Sequence, residues 1–274
     1  DTWILDSGVV PLVVMKMTMT RRIFKAVSDI VAASGLGLPC TRLLELVESK
    51  IIEPALGELA VLRRAGGVVD HHRRAAAHDR GDDGEVAAER TVEHSLDIPR
   101  PGWAEQDVRH VWEAAKKVLR EVAESAPVPP GGICFSGAMH SLFPVADDAG
   151  TPLSNAMTWA DARATSVYKG LIADTDVHTL YRRTGCPVHS TYHLQRLRWW
   201  HRLDPELAER AHLWVGIKDW ILHALTGVWA SDLSLASTTG LLNLQALTWD
   251  AGALRLAGVL PDQLPSLISP SAVV

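Results

Sequence analysis

Asp232 has the neighbours a proton-accepting carboxylate needs. It follows the strand-like segment Val228–Ala230 and is surrounded by hydroxyls at Ser231, Ser234, Ser237, Thr238 and Thr239. Such neighbours keep a carboxylate hydrogen-bonded yet accessible, as general-base work requires. The same pattern also fits an aspartate in a turn after a strand. His140 stands in the small-residue run Ser136–Ser141. An imidazole there can donate to one ligand hydroxyl and accept from another, although a lone histidine beside a strand also serves structure alone. A third group comprises His71, His72, His78 and Asp79. Adjacent histidines do not readily share one tetrahedral ion, so no metal is assigned and the run reads as solvated or disordered.

These groups need a frame. Gly131–Phe135 is short, apolar and bounded by proline and glycine, which predicts a buried strand, with Leu142–Ala146 as its neighbour. The Ser136–Ser141 turn then lies at the strand ends, where α/β proteins usually hold small ligands. Val108, Val111, Trp112, Ala115, Val118, Leu119 and Val122 make one helical face, with Trp112 in the core. Further helices are predicted from Asp161 into Ile172, over Thr191–Trp200, after the Asp204-Pro205 cap, and over Lys218–Leu225 with Gly227 as C-terminal cap. In Arg21–Ser34 the residues Ile23, Phe24, Val27, Ile30 and Val31 share a face, Thr41 can cap a second helix and Pro54 can open a third. Residues 1–64 thus read as an unassigned helical segment.

Composition narrows the class. A chain of 274 residues with 47% hydrophobic and 22% charged residues has ample material for a globular core. The formal net charge of −5 supplies no basic footprint for nucleic acid. Cys40, Cys134 and Cys186 are too scattered for a disulfide framework or zinc site, and Cys134 reads as a small core residue. Val9–Met15 is too short to span a bilayer and no basic segment precedes it, so a cytoplasmic protein without a membrane partner is expected.

Several ordered motifs carry a resemblance. They are Pro101-Gly102-Trp103-Ala104-Glu105-Gln106-Asp107, the stretch Phe135–Arg163, Thr184-Gly185-Cys186-Pro187-Val188-His189, Ile217-Lys218-Asp219, and Asp232–Gly240. From about Gly84 to the last residue the chain resembles the amino-terminal domain of the FGGY family of carbohydrate kinases, and the last three motifs look most like its gluconokinase branch. The resemblance implies an α/β fold, a ribonuclease H-like (actin-like ATPase) half-domain with a mixed sheet and flanking helices. It would occupy residues 65–274, incomplete at its start, with the carboxy-terminal ATP-binding domain absent, so that the chain reads as a fragment.

The resemblance also implies an enzyme using ATP and Mg2+ to phosphorylate an alcohol group of gluconate or a related sugar acid or polyol. Asp232 would be the base, and Met139 and His140 would line the sugar site. Trp159 would wall the carbon skeleton, though core packing fits it equally, and Asp161 would accept from sugar hydroxyls. Arg163 and Lys218 would favour the gluconate carboxylate, unless they are helix-surface charges. His189 and Tyr192 would close the pocket, and Asp70 would be a magnesium-associated carboxylate.

The family's glycine- and hydroxyl-bearing phosphate loop is not recognisable at 66–83, where His71-His72-Arg73-Arg74 follows Val68-Val69-Asp70. Bulky side chains cannot replace glycines that let backbone N–H groups approach phosphate. A local reading-frame shift in the encoding DNA is the preferred explanation, to be tested by finding the loop in a neighbouring frame, and the fragment alone is expected to be inactive. Two other readings stand beside the gluconokinase one: a degenerate sugar-binding module without catalysis, and a xylulokinase- or glycerol kinase-like substrate choice. The partner implied is a small sugar or sugar acid, and a homodimer is admitted.

Overall fold

The computed structural model describes residues 12–15, 74–80, 86–126 and 132–274. Residues 1–16 and 72–274 belong to one compact unit, and the other, 17–71, lies outside the described residues. So do the helices expected within 17–64, Val68–Asp70, and His71 and His72 of the histidine run to which no metal was assigned.

A four-stranded sheet opens the described unit, built from β1 (Leu12–Met15), β2 (Arg74–Arg80), β3 (Val86–Glu93) and β5 (Gly132–Phe135) in the order β3-β2-β1-β5. β1 runs antiparallel to β2 and parallel to β5, so the sheet is mixed, as expected. Two differences from the sequence reading follow from this pairing. Leu12–Met15 falls within the stretch read as a separate helical segment, yet it takes a central place between β2 and β5. Arg74–Arg80, read as a solvated or disordered run, is a strand paired on both sides. Ladder bonds on two edges outweigh the weak strand preference of its alanines.

Between β3 and β5 come β4 (Glu105–Gln106) and the helix α1 (Val108–Ser125). Asp107 caps α1 by accepting from Arg109 N at 2.9 Å, and Val108, Val111, Ala115, Val118 and Val122 form its buried face. Trp112 is half-buried at the edge of that face, with its ring edge-on to Trp220 at 6.2 Å. Cys134 corrects a prediction: it is exposed, as is the preceding Ile133 at 44%. Successive strand residues face opposite ways, so neither face of this terminal strand is covered there.

The rest of the chain builds the layer that holds the site. β6 (Phe143–Val145) and β7 (Ala156–Met157) follow the turn after β5, and β7 pairs antiparallel with β4. A 3-10 turn at Arg163–Val167 leads into α2 (Tyr168–Asp174), so the helix expected from Asp161 is split. Next come α3 (Val177–Thr184), α4 (His193–Leu203), α5 (Pro205–Arg210) and β8 (Leu213–Val215), which pairs antiparallel with β6. α6 (Ile217–Thr226) ends at Gly227, whose φ of 74° is the left-handed cap the sequence predicts. β9 (Ala230–Asp232) runs directly into the short α7 (Leu233–Ala236). The chain continues through β10 (Leu242–Asn243), β11 (Thr248–Trp249), α8 (Ala251–Ala257) and β12 (Ser266–Ile268), the last parallel to β9.

One core gathers Leu142, Met157, Leu197, Trp199, Trp200 and Trp214 with the apolar faces of α4 and α8. A second lies under α1, β6, β8 and α6, around Phe143, Val145, Val215 and Trp220. The loops of the candidate site sit on these two cores. No helix among the described residues is long and apolar enough to cross a membrane.

Candidate active site

The site begins at the turn between β5 and β6. The Ser141 hydroxyl accepts from Ile217 N at 2.9 Å, which ties the end of this turn to the first residue of α6. The next residue of α6, Lys218, lies against the turn so closely that a Cβ added to Gly137 would meet Lys218 Cβ at 2.9 Å. Lys218 Nζ donates to Asp232 Oδ2, while Asp232 Oδ1 accepts from Leu235 N at 3.1 Å and caps α7. The Asp232 side chain keeps 11% of its surface exposed, so it is held but reachable.

Beneath this pair lies Asp219, fully buried. Burial pushes its carboxyl up to about 7, an effect opposed by its hydrogen bond from Gly216 N, the nearby Lys218 charge and a hydrogen bond with Ser231, and reinforced by the Asp232 charge. Asp219 therefore links the start of α6 to the strand residue next to Asp232.

His140 occupies the tightest point of the turn, with φ of 67°. Its ring stands edge-on to Tyr192 at 5.3 Å, and Tyr192 in turn lies 6.3 Å from the His189 ring. Burial, helped by the Arg196 charge, pushes His140 down to about 4, so the ring is neutral at pH 7. His189 Nδ1 accepts from Thr191 N at 3.2 Å, and the Thr191 hydroxyl reaches Trp159 O at 3.5 Å. Met139 is 38% exposed and Trp159 48%, so Trp159 is not a core residue. His189 and Tyr192 line a small pocket of about 10 Å3, with Leu171, Leu180, Cys186 and Leu194, too small for a sugar.

Asp161 and Arg163 are placed differently from the sequence expectation. Asp161 is 2% exposed and Arg163 7%. Asp161 accepts from Ala104 N at 2.9 Å, from Arg163 N at 3.0 Å and from Arg163 Nη2 at 2.6 Å. The same Nη2 donates to Glu105 at 2.5 Å, and the guanidinium lies 3.5 Å over the Trp103 ring. Their charges are paired within the protein, under the turn that carries Trp159.

The structure thus brings Asp232 and Lys218 together, and separately His140, His189 and Tyr192, with the Ser136–Ser141 turn joining the two groups. It buries Asp161 and Arg163 below the turn of Trp159, and Asp70 lies outside the described residues. Sequence reasoning missed two buried groups, Asp219 and Arg196. Asp219 stood inside the quoted Ile217-Lys218-Asp219 motif, whereas Arg196 reads as one more basic residue on a helix rich in them.

Comparison with known proteins agrees with this architecture. The family model for the N-terminal domain of FGGY carbohydrate kinases matches residues 71–274. A gluconokinase from Bacillus licheniformis is 33% identical over 191 residues, covering 69% of this chain and 37% of the relative. A glycerol kinase from Methylorubrum populi is 30% identical over 205 residues, covering 70% and 40%. The crystal structure of gluconate kinase from Lactobacillus acidophilus superposes with a TM-score of 0.70 at 28% identity, covering 73% of this chain and 40% of that one. That of a ligand-bound xylulose kinase from the same organism gives 0.71 at 29%, covering 74% and 41%. The chain spans about two fifths of the length of these relatives. With the mixed sheet, the ordered motifs and the matched span in agreement, the chain belongs to the FGGY family of carbohydrate kinases, in the region of its amino-terminal domain.

Proposed function

We propose that this chain is the sugar-binding part of an ATP-dependent carbohydrate kinase, acting in the cytoplasm on gluconate or a related sugar acid or polyol. The observation that carries the reading is Asp232, charge-paired with Lys218 beside the turn of Met139 and His140. Phosphorylating an alcohol needs a base at the attacking hydroxyl and fixed partners for the others. ATP with magnesium would supply the phosphoryl group. Magnesium with a nucleotide is bound through one or two carboxylates and the phosphates, and only the sugar and the base are assigned to the described residues.

In this reading the attacking hydroxyl takes the place on Asp232 Oδ2 that Lys218 holds, and Oδ2 accepts its proton. The freed ammonium meets the carboxylate of a sugar acid, which a neutral polyol lacks. Neutral His140 stands in the same turn with one ring nitrogen on the Thr238 backbone and Nδ1 buried, so it bounds the sugar site rather than serving two hydroxyls. Met139 and Trp159 offer apolar surface to the carbon chain, with His189 and Tyr192 at the rim. Asp161 and Arg163 act from beneath, by holding the Trp159 turn.

Thermal unfolding of the chain with gluconate, xylulose and glycerol tests this. A ligand at about 100 times its Kd stabilises the native state by about 2.7 kcal/mol. Gluconate is expected to raise Tm most, and Lys218→Met to remove more of the gluconate effect than of the xylulose effect. No shift with any of the three at tens of millimolar would overturn the proposal. Gluconate binding by a form joined to a nucleotide-binding domain, without phosphorylated product, would replace it with a non-catalytic sugar-binding module.

A further inference from the structure

We propose that Arg196 is the positioning residue of this site: one buried guanidinium holds in register the three loops that carry His140, Trp159 and Tyr192. Arg196 is fully buried on α4. Nη1 donates to His140 O and, at 3.3 Å, to Met157 O. Nη2 donates to Thr158 O, and Nε to Ser190 O at 3.4 Å. The acceptors come from three separate segments: the turn after β5, the end of β7 just before Trp159, and the loop between His189 and Tyr192.

The energetics favour a purpose for this arrangement. A guanidinium taken out of water costs several kcal/mol unless its hydrogen bonds are well made, and an apolar side chain of similar volume would often be no worse for stability. Burial pushes Arg196 down to about 10, so it stays charged at neutral pH, with Asp161 supporting the charge. Its planar fork reaches several carbonyls at fixed angles, which a single ammonium cannot do. His140 O and Ser190 O belong to loops that no strand ladder ties down, and leaving a buried carbonyl unpaired costs about 1–3 kcal/mol. Met157 O also accepts from Leu142 N and Thr158 O from Asp161 N, each at 3.0 Å, so removing the fork loosens the Trp159 segment less than the loops that carry His140 and Tyr192.

The same charge acts on His140. The groups around that ring are Arg196 and His193 from α4, His189 and Tyr192 from the preceding loop, and the Thr238 backbone. His140 Nδ1 is buried without a hydrogen-bond partner. Arg196 thus fixes where the imidazole stands and adds to burial in keeping it uncharged.

The test uses Arg196→Lys, which keeps the charge and loses the fork, and Arg196→Met, which loses both. Hydrogen exchange at the amides of Leu142, Asp161 and Tyr192, which donate to Met157 O, Thr158 O and His189 O, should speed up at least about tenfold in Arg196→Lys while α1 keeps its protection, because local opening is read residue by residue. The His140 ring, followed by NMR, should stay neutral down to low pH in Arg196→Lys and titrate closer to the ordinary value of 6.5 in Arg196→Met. Unchanged protection of the three loops in Arg196→Lys, or equal loosening of α1, overturns the proposal. So does an unmoved His140 titration in a folded Arg196→Met. If Arg196→Met does not fold, the exchange pattern of Arg196→Lys decides.

Only a sugar-affinity readout rests on the function proposed above. Where wild type binds gluconate, Arg196→Lys should weaken it about tenfold, equivalent to 1.4 kcal/mol, and unchanged affinity counts against Arg196. Absence of binding by wild type would instead count against the sugar-site reading, and the exchange and ring measurements would still judge Arg196.

Discussion

Replacing Arg163 by methionine separates a supporting role from a ligand-binding one. The side chain of Arg163 is 2% exposed and that of Asp161 is 0%. The substitution leaves Asp161 hydrogen-bonded by the Ala104 and Arg163 backbone N–H groups, at 2.9 and 3.0 Å, with the Arg196 charge still nearby. Glu105, 15% exposed, loses its ion-pair partner as well. Removing one member of a buried pair costs about 3–5 kcal/mol, chiefly because the remaining charge is stranded. Loss of the cation over Trp103 adds about 1–2 kcal/mol, part of which a thioether against the ring restores.

Urea unfolding at pH 7 of wild type, Arg163→Met, Asp161→Asn and the double variant forms the cycle that measures this. The single Arg163→Met change is expected to cost at least about 3 kcal/mol, and the double variant clearly less than the sum of the singles, because the stranded charge is gone. A single-variant cost under about 1 kcal/mol, or additive singles, would refute the reasoning. A sugar-contacting Arg163 predicts the opposite pattern: near-native stability with weakened gluconate binding.

Asp219 sets a pH dependence with a definite sign. Its carboxyl is pushed up to about 7 in the folded state from 3.8, so the native state holds the proton more tightly than the unfolded one between those values. Its contribution is favourable below about 4 and is lost as pH rises through about 7. The buried imidazoles of His140 and His193, pushed down to about 4 and about 3, act in the opposite sense between 6.5 and those values. Urea midpoints of Asp219→Asn against wild type at pH 5 and pH 8 isolate the carboxyl: the variant should gain relative stability at pH 8, and a constant difference would disprove the shift. Gly137→Ala brings a Cβ to 2.9 Å from Lys218 Cβ and should displace Lys218 from Asp232. A crystal structure of that variant with the ion pair in place would show that the turn yields instead.

Much of the frame was legible in the chain. The Val108–Val122 face has the 3.6-residue period of a helix with one buried side, and it is one. Asp204-Pro205 opens α5 and Gly227 closes α6, because caps depend on a few local backbone angles that these residues favour. Asp232 and Lys218 were both singled out, and the structure joins them. Less legible were the elements whose partners lie far away in sequence. Leu12–Met15 has no local signature beyond four apolar residues, and its strand exists through pairing with residues 74–80 and 132–135. The alanine-rich β2 depends on the same sheet.

The division inside the site has a physical origin. Residue type and local order determined which groups are able to take a proton, present an imidazole or offer an apolar wall, since those capacities belong to the side chains. Only the tertiary structure decided which charges face a ligand and which face each other. Arg163, Lys218 and Arg196 are all cations on or beside helices, yet Arg163 lies under Trp103 with Asp161, Lys218 meets Asp232, and Arg196 braces three loops. Burial and distant partners set those roles, through desolvation and hydrogen-bond geometry that sequence spacing does not contain.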